Sequence, residues 1–173
     1  MQFSTEQAIE ILERTPQVLS QLLSNLSTSW TSNNEGGETW SPYDVIGHLI
    51  HGDKTDWLIR AEIILSNSND KRFEPFDRFA QFEASTGKSL LQLLDEFKKL
   101  REQNIIKLKR LNISAEQLTK TGIHPTFGVV TLSQLLATWV VHDLDHISQI
   151  SRVMAKQYAT EVGPWIEFLK ILK

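Results

Sequence analysis

The sequence has no cysteine, only five prolines and eight glycines among 173 residues, and no apolar stretch as long as a membrane span. Without cysteine, the chain has no disulfide framework, no thiolate zinc finger and no cysteine nucleophile. Because a membrane-spanning helix needs about 18 or more consecutive apolar residues, none is predicted. The five histidines are therefore the only candidate nitrogen ligands for a metal and the only side chains whose ordinary pKa lies near neutrality.

Neither sign of charge dominates. The 18 basic and 21 acidic side chains give a net charge of −3, which disfavours a strongly basic nucleic-acid-binding protein. The N-terminal residues 1–6 lack the basic start and apolar core of a signal peptide, so we expect a cytoplasmic protein. The length predicts a single domain over residues 1–173.

With so few helix-breaking residues, most of the chain follows a helical apolar period. The pattern predicts a first helical region that Pro16 breaks near residue 15, and further helices over about 42–65, 89–111 and 132–157. A last short helix is predicted to begin at Gly163. Four amphipathic helices with few strand signals predict an all-α four-helix bundle.

Two connections interrupt the helical pattern. Residues 66–86 form a long irregular connection that contains half of the eight phenylalanines. These are Phe73, Phe76, Phe79 and Phe82. We expect the four rings to form a small cluster that seals one end of the bundle; a lid or a pocket wall is the alternative. Residues 119–130 are predicted to be irregular or hairpin-like.

The histidines are unevenly spread. His142 and His146 lie four residues apart on the fourth helix, so they project from one face and can share a metal ion. Such a pair also occurs by chance beside an apolar core, and that alternative stays open on spacing alone. A third ligand would come from elsewhere. His48 on the second helix is the better inward candidate, because the helical neighbours of His51 are more polar. His124 either lines a cavity or is solvated.

Two charged features need an interpretation. Asp143 falls inside the apolar arc of the fourth helix, where a carboxylate needs partners. We expect it to bond a tryptophan, an arginine or a loop amide; the alternative is that it orients a ligand histidine. A basic stretch on the third helix is interpreted as a solvated face. It comprises Lys98, Lys99, Arg101, Lys107, Lys109 and Arg110.

Several short motifs, in this order and spacing, resemble one known family. They are Trp40-Ser41-Pro42, Val45–Leu49, Phe73–Arg78, His124–Gly128, Trp139–Gln149 and Val162–Trp165. The sequence resembles the DinB-like superfamily of DNA-damage-inducible-like proteins, which includes YfiT-type metal-dependent hydrolases. The resemblance covers roughly residues 9–172. It implies a four-helix bundle of the DinB-like type, with a long Phe-rich connection between the second and third helices and a short C-terminal helix.

The resemblance also implies a metal site. Carried over residue by residue, its ligands are His48, His142 and His146, with one divalent ion such as zinc, nickel or iron. The open coordination positions would hold water or a thiolate, and no protein residue is assigned as a fourth ligand or as a catalytic group. His51 and His124 match no ligand position.

The implied function is that of a bacterial, metal-dependent enzyme acting on a small-molecule substrate. It is either a hydrolase or a transferase that uses a low-molecular-weight thiol, which this cysteine-free chain would receive as a cosubstrate. The alternative is a non-enzymatic metal- or ligand-binding stress-response protein. No nucleic acid or membrane is expected as a partner, and members of the family often form homodimers.

Overall fold

The computed structural model describes residues 2–173 and is mainly helical, with one β-hairpin among those residues. The elements run in the order α1 (Thr5–Leu12), α2 (Thr15–Leu23), α3 (Thr28–Ser32), α4 (Pro42–Thr55), α5 (Trp57–Leu65), α6 (Ala80–Ser85), α7 (Leu90–Arg110), α8 (Ala115–Leu118), β1 (Thr121–His124), β2 (Gly128–Thr131), α9 (Leu132–Lys156) and two 3₁₀ helices, Gly163–Phe168 and Lys170–Leu172.

The predicted four-helix bundle is confirmed. Its four parts are the pair α1 and α2, the pair α4 and α5, helix α7 and helix α9, which pack on one another. The core has two clusters. One surrounds Trp57 and Trp139 and the other surrounds Ile46 and Phe97, all of them buried. Both clusters are formed by helix faces on which apolar residues recur at the helical period.

Local capping signals fix where the long helices begin. The Ser41 side chain accepts a hydrogen bond from the Asp44 backbone N–H at 3.2 Å, and Asp44 Oδ2 accepts one from the Ser41 backbone N–H at 2.9 Å. This capping box starts α4. Thr131 and Gln134 form the same arrangement at the start of α9. Because both helices start at defined residues, the face of the helix on which each histidine lies is defined too.

Several helix boundaries differ from those predicted. The helix predicted over 42–65 is broken at Asp56, whose φ of −117° and ψ of −77° are far from regular helical values. The break lets the Trp57 ring turn back over Gly52, where its Nε1 lies 3.3 Å from the position a Cβ would take. The predicted break near residue 15 is present, with Pro16 in the first turn of α2. The short helix at Gly163 is a 3₁₀ helix.

The connection over residues 66–86 is more ordered than predicted and includes α6. This helix lies directly on α4 because Gly47 has no side chain there; a Cβ would meet Ser85 Oγ at 2.5 Å. The four phenylalanines do not form one cluster. Phe73 is buried in the core, whereas Phe79 and Phe82 are exposed, so the expected seal at one end of the bundle is wrong.

The predicted hairpin-like segment is an antiparallel hairpin, with Thr121 opposite Thr131 and His124 opposite Gly128. It is tied to the Phe-rich connection, because the Phe73 backbone N–H donates to Ile123 O at 2.9 Å. The ring of Phe73 fills the space over Gly122, where a Cβ would lie 2.5 Å from it. Within residues 2–173, no helix has both the length and the apolar character needed to cross a membrane.

Candidate metal centre

The structure brings His48, His142 and His146 together. Helix α4 carries His48, and α9 carries the other two on its inward face. The Nε2 atom of His142 lies 3.1 Å from Nε2 of His48 and 3.1 Å from Nε2 of His146. All three ligand atoms lie within 4.8 Å of one another. The predicted trio therefore converges on one point from two helices that are far apart in the sequence.

Two glutamines hold the other ring nitrogens. His48 Nδ1–H donates to Gln81 Oε1 at 3.0 Å, and His146 Nδ1–H donates to Gln149 Oε1 at 2.7 Å. These bonds place the proton of each neutral ring on Nδ1, so Nε2 presents a lone pair to the shared point. Among the described residues, the buried Nδ1 of His142 has no hydrogen-bond partner.

This arrangement fits a bound metal ion. His142 Nε2 can carry at most one proton, so it can donate a hydrogen bond to only one of its two neighbours at 3.1 Å. At the other contact two nitrogen lone pairs would face each other, and a shared cation removes this repulsion. Nitrogens that share one tetrahedral zinc ion at its usual bond length lie about 3.3 Å apart. The two observed separations of 3.1 Å are close to this value.

The electrostatics of the site favour neutral imidazoles. Burial, reinforced by neighbouring His146, lowers the pKa of His48 to about 4. Burial also lowers the pKa of His142 far below its ordinary value, and that of His146 less strongly because Gln149 opposes the shift. At neutral pH all three rings are uncharged, which is the state that binds metals.

Aromatic rings surround the three histidines. Trp40 lies 4.8 Å from His48 between ring centroids, and Phe76 packs its edge on the same histidine at 5.4 Å. Trp57 lies 5.0 Å from His142 in an edge-on arrangement. Phe76 comes from the Phe-rich connection, so this part of the connection forms a pocket wall. The apolar rings limit how much water reaches the histidines.

A buried ionic network lies beside the site. Arg101 Nε and Nη2 donate to the two carboxylate oxygens of Asp53 at 2.7 and 2.9 Å, and Nη2 also donates to Asp143 Oδ1 at 3.1 Å. The expected structural role of Asp143 is thus supported, with an arginine as its partner. The interpretation of the basic stretch as solvated is wrong for Arg101, whose side chain is 1% exposed.

The histidines open into a cavity of about 950 Å³. His124 lines this cavity and is not simply solvated. His51 is absent from the cavity lining and packs on the Phe76 ring at 4.8 Å. Sequence reasoning missed Gln81 and Asp53, because nothing in their local pattern distinguishes them from other polar helical residues. It also missed Gln149, although a position three residues after His146 on the same helix was a signal that could have found it.

Comparisons with known proteins agree with this architecture. A model of the DinB superfamily matches residues 11–150. The solved structure of YfiT from Bacillus subtilis, described as "a probable metal-dependent hydrolase with an unusual four-helix bundle topology", is 20% identical and matches with a TM-score of 0.73 over 93% of this chain and 90% of that one. TT2238, described as a four-helix bundle protein, is also 20% identical, with a TM-score of 0.53 over 86% of this chain and 98% of its own. No curated protein sequence matches the chain.

Proposed function

The chain belongs to the DinB superfamily, and from this premise we propose that it is a metal-dependent enzyme acting on small molecules, with His48, His142 and His146 holding one divalent ion. The reaction is either a hydrolysis or the transfer of a low-molecular-weight thiol. The structural relative YfiT is described as a probable metal-dependent hydrolase, which supports the first reaction. Because the chain has no cysteine, the sulfur of the second reaction would have to come from a cosubstrate.

One observation carries the proposal: three uncharged imidazoles direct ligand atoms to one point inside a large cavity. Within residues 2–173, the metal-competent group consists of these three histidines and includes no carboxylate. A site with three protein ligands retains positions for substrate, as catalytic sites do and closed structural sites do not.

The residues of the chain have distinct tasks in this proposal. Gln81 and Gln149 orient the rings of His48 and His146, and the rings of Trp40, Trp57 and Phe76 exclude water. When bound, a divalent ion supplies Lewis acidity, which polarises the substrate and makes a nucleophile available near neutral pH. Imidazole ligands suit zinc, nickel and iron.

The proposal is tested by His142→Ala, with His51→Ala as the matched control. Metal content is measured by elemental analysis after reconstitution with zinc, nickel or iron, and turnover is measured on a panel of esters, amides and thiol–electrophile pairs. We expect one bound ion per chain in the wild type and in the control, and loss of both metal and turnover in His142→Ala.

The possible results separate the candidate functions. A wild-type protein that takes up none of these metals would refute the proposal. Stable metal binding without turnover on any substrate class would favour the alternative function, a non-enzymatic metal- or ligand-binding protein. Turnover that requires an added thiol identifies the transferase reaction, and turnover of esters or amides alone identifies the hydrolase reaction.

A further inference from the structure

We propose that the end of the cavity remote from the three histidines is a carboxylate subsite formed by Arg60 and His124, so that the substrate is an elongated small molecule with one negative charge. This inference rests on the function proposed above, because it concerns the far end of the molecule whose reacting part lies at the histidines.

The cavity follows one face of α4 and α5. His48, Gly52, Asp56 and Arg60 all line it and are spaced four residues apart. His48 lies on α4 and Arg60 on α5, on opposite sides of the break at Asp56, so they line different parts of the cavity. The absence of a side chain at Gly52 leaves room between the two ends. A ligand that contacts both ends is therefore extended rather than compact.

Arg60 is a buried guanidinium that is fixed on several sides. The residue is 7% exposed. Its Nε pairs with Asp56, its Nη2 donates to Glu74 O at 3.3 Å, and its guanidinium carbon lies 5.2 Å from the centre of the Phe73 ring. Within the part of the chain that the structure describes, Nη1 has no hydrogen-bond acceptor. A preorganised donor is thus available to a ligand.

His124 supplies a second donor at the same end. Its Nδ1 accepts the backbone N–H groups of Thr126 and Phe127 at 3.1 and 3.3 Å. The proton of the neutral ring must therefore be on Nε2, which donates to no acceptor within residues 2–173. The ring lies 6.3 Å from the centroid of Phe73, the same ring that Arg60 covers. Both donors are thus grouped around one phenylalanine.

The charges at this end favour a monoanion. Asp56 already balances part of the positive charge of Arg60, so a dianion such as a phosphate monoester would meet a buried carboxylate. Burial raises the pKa of Asp56 to about 6, and burial lowers the pKa of Arg60. Burial and nearby Arg60 also lower the pKa of His124. A single carboxylate can accept from Arg60 Nη1 and from His124 Nε2 without adding a second unbalanced charge.

A second arginine in the cavity wall provides the control. Arg78 lines the same cavity but is exposed, and it takes part in none of the ion pairs found among residues 2–173. It is not preorganised by buried contacts, and an exposed charge contributes little to binding because water and salt screen it. We therefore assign the subsite to Arg60 rather than Arg78.

The test uses zinc-loaded full-length protein and two matched series of probes. One is a series of alkyl hydroxamates of increasing chain length that end in a carboxylate, and the other is the series of their methyl esters. Dissociation constants are measured by calorimetry after zinc uptake has been established. At the best chain length we expect the acid to bind about ten-fold or more tightly than its ester, as a charged hydrogen-bonded pair predicts.

Variants then locate the effect. The double substitution D56N/R60Q removes the charge of Arg60 without leaving Asp56 as a buried unpaired carboxylate, and it should abolish the preference for the acid. His124→Asn keeps a side-chain acceptor for the hairpin turn and should reduce the preference. Arg78→Gln should leave it unchanged. Circular dichroism establishes that each variant is folded.

The outcomes distinguish the subsite from the function on which it rests. Equal binding of acid and ester by zinc-loaded wild-type protein would overturn the subsite while leaving the metal centre intact. A preference that survives both D56N/R60Q and His124→Asn but disappears in Arg78→Gln would also overturn it. Failure of the protein to bind zinc, nickel or iron would refute the metal-dependent function, and the subsite with it.

Discussion

At the scale of single residues, the candidate site depends on which ring nitrogen of each imidazole is free to bind a metal ion. Gln81 is 1% exposed, and its Oε1 accepts the Nδ1–H of His48 at 3.0 Å. Hydrogen bonds of this kind commonly fix the orientation and the tautomer of metal-binding histidines. An amide acceptor adds no buried charge, so it orients the ring without the desolvation cost of a carboxylate.

We predict that Gln81→Leu weakens zinc binding about ten- to one-hundred-fold, because the ring of His48 loses the acceptor that keeps its proton on Nδ1. Gln81→Glu restores an acceptor and should bind zinc more tightly than Gln81→Leu does. Dissociation constants from competition with a chromophoric chelator check this prediction. Gln103→Leu, at an exposed position of α7, is the control and should match the wild type. Equal affinities in the wild type and Gln81→Leu would contradict the role given to Gln81.

Residues also differ in how far the sequence predicts their roles. The spacing of His142 and His146 is local, so a helical wheel places both on the inward face, and the resemblance to the family supplies His48. Gln81 contacts His48 across 33 positions of the chain, through a helix that the apolar pattern does not predict. Arg101 resembles its solvated neighbours in sequence because local charge does not reveal which side chain of a basic stretch is buried.

At the scale of secondary-structure elements, the junction between α4 and α5 shapes the cavity. Capping signals such as Ser41 with Asp44 act within one turn of helix, so the sequence predicts where α4 begins. At the break, the carboxylate of Asp56 pairs with Arg60 and the Trp57 ring lies over Gly52. These partners are only four and five residues apart, but the Trp57 ring is held in the core by stacking on Trp139 of α9. That packing is tertiary, and for that reason the sequence pattern predicts one continuous helix instead.

The buried carboxylate at this junction predicts a pH dependence of stability. Burial raises the pKa of Asp56 to about 6, whereas an unfolded aspartate titrates near pH 3.9. Between these values the folded state binds more protons than the unfolded state, so this contribution to stability is complete below about pH 4 and is lost as the pH rises through about 6.

We therefore predict that the unfolding free energy of the wild type, relative to that of Asp56→Asn, falls by about 2 kcal/mol between about pH 4 and pH 7. Asparagine does not titrate, so this change isolates the ionisation of Asp56 from the pH-independent cost of altering its pairing with Arg60. Urea denaturation of both proteins across this range gives the difference directly. Parallel curves would show that burial does not raise the pKa of Asp56.

At the scale of the whole molecule, one side chain joins the elements that carry the site. Arg101 on α7 donates to Asp53 on α4 and to Asp143 on α9, and its Nη1 also donates to the backbone oxygen of Leu12 at the end of α1, at 3.1 Å. All five of its N–H groups are used. Asp143 directly follows His142, so the network clamps together the two helices that present the histidines.

We predict that Arg101→Met destabilises the protein by about 3–5 kcal/mol, because it leaves two carboxylates buried without their counterion. Both carboxylates have side chains that are 0% exposed. The triple variant D53N/R101M/D143N removes those charges and should recover part of the loss, since an uncharged buried cluster costs less than unpaired charges. Lys98→Met, an exposed position on the same helix, should change stability by no more than about 0.5 kcal/mol.

Chemical denaturation measures these differences in stability, and zinc affinity measures their consequence for the site. If the network aligns α4 with α9, the triple variant regains stability but not the wild-type affinity, because its amides no longer connect both helices through a rigid guanidinium. A triple variant no more stable than Arg101→Met would show that the loss comes from packing around Arg101, whose guanidinium lies 4.9 Å from the Phe97 ring and 5.1 Å from that of Trp139. Wild-type zinc affinity in both variants would show that the histidines are positioned by their own helices and glutamines alone.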